Sequence, residues 1–160
     1  MAKAATKIPR FAERWRPLAE ARSAAAGQRL TPARLLAYAE LQESGKPLSA
    51  YALLALLETR QKKKIAPLTV YRHLEFLMGI GLVHRIESTQ AYLPCDHPDH
   101  QHESQYLLCS ECGNADELES KRLKKLLDQI AGKHGFEFRK AVVELSGRCA
   151  DCSRIGKDSA

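Results

Sequence analysis

The sequence predicts an α+β protein in two parts, a winged helix-turn-helix over residues 11–93 and a small α/β domain over residues 94–160, behind a loose basic arm of residues 1–10. Three observations predict it. Short stretches of helical periodicity follow one another as far as Met78 and then give way to an alternating hairpin, the element order of a winged helix. The charge balance changes along the chain, with 15 Lys and Arg against 7 Asp and Glu up to Pro94 and 10 against 12 beyond it. All five cysteines, Cys95, Cys109, Cys112, Cys149 and Cys152, fall in the acidic part, and four of them form two Cys-x-x-Cys pairs.

The elements follow in order. Phe11, Trp15, Leu18 and Arg22 recur at helical spacing and Gly27 stops them, so a first helix is expected from Phe11 to Gly27. Thr31 stands as a capping hydroxyl before Pro32, and Leu35, Leu36, Ala39 and Leu41 form the apolar stripe of a second helix reaching Ser44. After the Gly45-Lys46-Pro47 turn, Ser49 caps a third helix with Leu53, Leu56 and Leu57 on its apolar side, ending near Lys62-Lys63-Lys64. Pro67 opens a fourth, in which Val70, Leu74, Leu77 and Met78 face a core while Tyr71, Arg72 and Glu75 face away. The hairpin runs from Leu82 to Leu93. Beyond Pro94, the pattern gives a strand at Gln105–Leu108, a helix from Leu118 to His134 and a strand from Phe136 to Leu145. The core of this second part is thin, so a metal staple and dimerisation are its natural supports.

A chain of 160 residues excludes a large multidomain enzyme. With 44% hydrophobic and 28% charged residues it is neither disordered nor membrane-embedded, and no apolar run approaches a spanning length. The segment Met1–Lys7 leads into no apolar stretch, so no secretory signal and no membrane partner are expected, and a cytoplasmic setting is. The basic excess in the first part suits a polyanion, although a membrane surface or an acidic protein would satisfy the same charge.

The sharpest chemical signal is Cys109-x-x-Cys112 with Cys149-x-x-Cys152, four thiolates suited to a closed tetrahedral zinc site. Such a site would tie the end of the second domain to its beginning and, having no open position, would hold structure and perform no chemistry. Redox disulfides and unmetallated thiols are the alternatives. The run Cys95-Asp96-His97-Pro98-Asp99-His100-Gln101-His102 is rich in metal donors, its plain alternative being an exposed turn. His84 and Glu117 are weak signals alone.

Leu30-Thr-Pro-Ala-Arg34, Thr69-Val-Tyr-Arg72, the His-rich run and the cysteine pairs together resemble the ferric uptake regulator family over roughly residues 12–152. Ser49-Ala-Tyr51, Val83-His84-Arg85-Ile86-Glu87-Ser88 and Cys95 resemble its zinc uptake branch more than its iron branch. The resemblance implies a homodimeric, metal-activated repressor and no enzyme, with an N-terminal winged-helix DNA-binding domain and a C-terminal dimerisation domain with structural zinc. It implies a regulatory zinc held by His84, Cys95, His102 and Glu117, from wing, linker and dimerisation domain, with His100 competing for the third place. His97 and His100 could build a further, weaker site, giving two zinc ions per protomer or a third. One thiolate, two imidazoles and one carboxylate suit zinc better than octahedral iron. Where the iron branch places a further histidine after the motif resembling Lys133-His134-Gly135, this chain has Lys140 and Ala141, and His134 reads as a helix C-terminal residue.

Double-stranded DNA with a palindromic operator is the partner so implied, and no small-molecule substrate. In the helix opened by Pro67, Arg72 offers a bidentate fork to a purine edge and Tyr71 a ring to thymine or sugar. Tyr51 resembles a second reader. Thr69, Arg34 and Lys62, Lys63 and Lys64 are phosphate candidates. The alternative is that Tyr71 packs inside the domain, Arg72 meets only phosphate and the lysines form a solvated loop. Rival functions are an iron, manganese, nickel or peroxide sensor of the same family, a thiol-redox switch on the cysteine pairs, and a zinc hydrolase with a base such as Glu103 beside an open metal position.

Overall fold

The computed structural model describes residues 8–96, 98 and 105–155. It forms two compact units, Met1–Pro98 and Asp99–Ala160. No helix among the described residues is long and apolar enough to cross a membrane.

The first unit begins with a correction. In place of one helix there are two, α1 (Arg10–Glu13) and α2 (Arg16–Ala25), parted at Arg14 and Trp15. Pro17 explains the break, since it has no N–H to donate and its ring would strike the carbonyl four residues back. It sits instead in the opening turn of α2, where neither defect matters. α3 (Pro32–Ser44) starts as its sequence requires, with the Thr31 hydroxyl accepting from the Arg34 N–H at 3.3 Å, and ends at Gly45 in the left-handed region. A two-residue strand, β1 (Leu48–Ser49), follows; it is too short to show alternation and was not expected. The Ser49 hydroxyl then caps α4 (Ala50–Gln61), accepting from the Ala52 N–H at 3.1 Å. α5 (Pro67–Gly79) leads to β2 (Val83–Ile86) and β3 (Ala91–Pro94). The strands form one antiparallel sheet in the order β1-β3-β2.

α3 is the axis of this unit: its residues from Leu35 to Leu41 are all buried. Leu53 and Leu57 of α4 and Val70, Leu74 and Leu77 of α5 close around it, together with Leu82 and Val83. The helical stripe assigned from spacing in α5 is thus the buried one, and Tyr71, Arg72 and Glu75 are exposed.

The second unit contains β4 (Gln105–Cys109), β5 (Ala115–Leu118), α6 (Lys121–Lys133), β6 (Val143–Gly147) and α7 (Ala150–Ile155), with strand order β5-β4-β6. Three expectations change. Leu118 ends a strand antiparallel to β4, and the helix starts only after Ser120, whose hydroxyl accepts from the Leu123 N–H at 3.2 Å. The last strand begins at Val143 and not at Phe136, because its parallel pairing with β4 runs from Gln105↔Val143 to Cys109↔Gly147. α7 was not foreseen. Burial here is sparse: Gln105, Tyr106 and Cys109 are the buried residues among those described, and α6 buries none.

Candidate metal centre and nucleic-acid interface

The four cysteines come together within the second unit. Cys109 closes β4, and Gly113, with φ of 73°, lets the chain double back, so that the Gly113 N–H donates to the Cys109 carbonyl at 3.0 Å and the Cys109 N–H to that of Asn114 at 2.8 Å. The parallel ladder delivers the other pair: Ser110 N–H donates to the Gly147 carbonyl at 2.8 Å, and the Cys149 N–H to the Cys109 sulfur at 3.3 Å. The four sulfurs lie within 4.8 Å of one another, with Cys112 and Cys149 Sγ 3.9 Å apart. Tetrahedral zinc with Zn–S of about 2.3 Å sets its sulfurs about 3.8 Å apart, whereas a disulfide needs about 2.05 Å. No disulfide joins any of the five cysteines.

The electrostatics agree with a cation site. Backbone N–H groups of Cys112 and Cys149 draw the Cys109 thiol down to about 6, while the thiol contact with Cys149 and burial push Cys152 up to about 12. Four thiolates so close repel one another, and a divalent cation lets all four ionise.

In the first unit, His84 on β2 pairs in register with Leu93 of β3, and Cys95 follows that strand directly. The Cys95 N–H donates to the Leu82 carbonyl at 2.9 Å, extending the hairpin so that a His84 ring nitrogen and the Cys95 sulfur lie within 4.8 Å. Cys95 is buried and His84 half-buried. Glu117, in the second unit, is half-buried on β5 opposite Tyr106. His97, His100 and His102 lie outside the described residues.

On the outer side of α5, Tyr71 and Arg72 are exposed, and Tyr51, in the first turn of α4, is 66% exposed. Tyr51, Tyr71, Arg85 and Tyr92 share a concavity of about 300 Å³ between the two helices and the wing. Thr69 is half-buried in the opening turn of α5. The lysines differ from one another: Lys62 turns the chain in the left-handed region, Lys63 is exposed, and Lys64 pairs with Glu58 at 3.2 Å. Arg34 is half-buried, its guanidinium stacked on Phe76. Leu68, in the first turn of α5, is 60% exposed; the signal for it in the sequence is its place off the Val70-Leu74-Leu77 stripe. Arg85, quoted within the wing motif but given no role of its own, is exposed although Val83, two residues before it on the same face of β2, is buried.

A winged helix with an exposed Tyr-Arg pair, followed in one chain by a small sheet closed by four cysteines, is the build of a metal-dependent winged-helix regulator. The chain belongs to the ferric uptake regulator family, whose model matches residues 25–146. It is 37% identical over 130 residues to the zinc uptake regulation protein of Escherichia coli (strain K12), covering 79% of this chain and 74% of that one. A solved zinc uptake regulator complexed with zinc and DNA matches it with a TM-score of 0.86 at 33% identity, over 93% of this chain and 99% of that one. Holo XcZur matches with a TM-score of 0.78 at 36% identity, over 89% of this chain and 99% of that one.

Proposed function

We propose that this chain is a zinc-responsive, DNA-binding transcriptional repressor of zinc-uptake genes, acting in the cytoplasm as a homodimer on a palindromic operator and catalysing no reaction. The observation that carries the reading is the exposed Tyr71-Arg72 face of α5 in a chain resembling a zinc uptake regulator complexed with zinc and DNA. Arg72 reads a purine edge through its planar fork, Tyr71 and Tyr51 contact base or backbone, and Thr69 with Lys62, Lys63 and Lys64 supplies phosphate contacts.

Two ions per protomer fit the donors. Cys109, Cys112, Cys149 and Cys152 hold the structural zinc, and His84, Cys95, His102 and Glu117 the regulatory one, with His97 and His100 as donors to a weaker third. Bound zinc supplies a redox-inert cross-link among these donors and no catalysis. The thiolate of Cys95 sets the preference for zinc over harder metals. His84 and Cys95 couple the regulatory site to the wing, so zinc affinity and DNA affinity rise together by the same factor.

Self-association is supported by the second unit, which exposes Leu126 and Ile130 of α6 and also Phe136, Val142 and Leu145, each 49% exposed or more. Taking such a side chain fully out of water is worth about 1.5–3 kcal/mol, so covering the exposed half of each is worth roughly 0.7–2 kcal/mol. β6 is also an outer strand of its sheet.

The test is a titration of the full chain against a duplex selected by the zinc-loaded protein from a randomised library, at buffered free zinc. Operator affinity is expected to rise about 5–150-fold with zinc, the span of a coupling of about 1–3 kcal/mol. Equal affinity with and without zinc overturns the reading.

A further inference from the structure

Arg34 lies on α3, in the first turn of the helix. Its side chain is committed twice within the unit. The guanidinium carbon stands 3.7 Å from the centre of the Phe76 ring, and Nη1 donates to the Arg29 carbonyl at 2.6 Å. Phe76 itself is only 6% exposed. Phe76 follows Arg72 by four residues on α5, so the two share one side of that helix. On the opposite side, Val70, Leu74 and Leu77 are sunk in the core. α5 is therefore gripped from two directions, by aliphatic packing on one flank and by a cation over an aromatic ring on the other.

We infer that Arg34 is a positioning residue that fixes the rotation of the recognition helix α5 through Phe76, and is not one of the phosphate contacts. The inference rests on the DNA-binding reading. Its geometric basis is leverage. An arginine tip stands about 9 Å from its helix axis, of which about 2.3 Å is the Cα radius, so a rotation of about 5° moves the tip by about 0.8 Å. The useful range of an N–H···O distance is only about 0.5 Å wide. A bidentate contact from Arg72 thus needs the helix held to a few degrees. Lysine cannot replace Arg34 in this role, because the stacked element is the planar guanidinium and not the charge alone. Burial, helped by the same cation, holds His73, on the intervening turn of α5, below its usual range.

The experiment compares Arg34→Lys, Arg34→Ala and Phe76→Leu with wild type, all zinc-loaded and full length. The probes are the duplex selected by the wild-type protein and its single-base variants, measured across a salt series. Positioning predicts that both Arg34 variants lose roughly fivefold or more of the discrimination between the selected duplex and the variant that alters the Arg72 base. It also predicts an unchanged slope of log affinity against log salt, no rescue by lysine, and a double variant Arg34→Ala/Phe76→Leu no worse than either single one. Partial unfolding would weaken binding to every duplex alike and leave the ratio untouched. A phosphate contact predicts the opposite pattern, and finding it overturns the inference: uniform weakening in Arg34→Ala, a slope reduced by about one, and recovery in Arg34→Lys. If the wild-type protein binds no duplex at all, the DNA-binding reading itself falls, an outcome distinct from failure of the Arg34 variants alone.

Discussion

Arg60, in the last turn of α4, reaches back to Glu40 on α3 and touches both carboxylate oxygens, at 2.7 and 3.3 Å. The Glu40 side chain is 3% exposed and that of Arg60 46%, so the acid is committed to the interior while the base remains half in water. Arg60→Ala strands that carboxylate. Breaking an ion pair with both partners buried costs about 3–5 kcal/mol, and the exposure of Arg60 lowers this to about 2–3 kcal/mol. The guanidinium also lies 4.6 Å from the centre of the Phe11 ring, a contact worth about 0.5–1 kcal/mol. A total near 3 kcal/mol corresponds to a fall of roughly 12–24 °C in the Tm of a unit this size. Urea and thermal unfolding followed by far-ultraviolet circular dichroism would measure it. The double variant Arg60→Ala/Glu40→Leu should recover much of the loss, since no unpaired carboxylate remains. A single-variant loss below about 0.5 kcal/mol, or a double variant no better than the single, refutes the reasoning. On the proposed DNA-binding reading the pair also bears on function, because α4 carries Tyr51 at its other end.

Three site variants and one titration extend the test. Cys112→Ser should release the structural zinc and abolish the stable dimer in size-exclusion chromatography with light scattering; a fully dimeric, zinc-replete variant excludes that role. His84→Ala should remain a folded dimer whose operator affinity no longer follows free zinc, and retained activation removes His84 from the ligand set. Arg72→Ala should cost about 1–3 kcal/mol on the selected duplex and relax preference at one base, whereas equal loss on every sequence makes it a phosphate contact. His73 is held below its usual value of 6.5 by burial and by the nearby Arg34 charge. The folded state then takes up fewer protons than the unfolded one, so this contribution to stability is complete above about pH 6.5 and is lost as pH falls through the lower folded value. Urea midpoints should therefore fall between about pH 7.5 and 5.5 by more in wild type than in His73→Gln, and equal falls contradict the assignment.

What the sequence made legible was whatever repeated or was marked by a special residue. Thr31-Pro32 and Ser49 placed two helix starts, and the Val70-Leu74-Leu77 spacing oriented α5 with Tyr71 and Arg72 outward. Pro17 stood in the sequence as well, but the helix was read from the spacing of Phe11, Trp15, Leu18 and Arg22 without it, and the break between α1 and α2 was missed. In the second unit, periodicity failed for a physical reason: Ala115–Leu118 alternates only between half-exposed and exposed positions, so β5 carries little apolar pattern. Spacing alone could not reveal that Arg34 stacks on Phe76, since that contact joins residues 42 positions apart in the chain.

The two units rest on different sources of stability, and on the proposed assignment this gives the two sets of metal donors different thermodynamic roles. The first unit has its core on α3, with Leu35, Leu36, Tyr38 and Leu41 fully buried, and its ordering does not wait for a ligand. In the second, the ladder between β4 and β6 and the cysteine cluster share residues, for Cys109 is both the last member of the ladder and a thiol of the cluster. Zinc held by Cys109, Cys112, Cys149 and Cys152, as proposed, would therefore add its binding free energy to the folding of that unit. An ion required for folding must stay bound when cellular zinc is low, so it cannot also report scarcity. On the proposed reading, reporting falls to donors that the fold can lose without collapse, and His84 and Cys95, on a hairpin already closed by its own backbone hydrogen bonds, meet that condition.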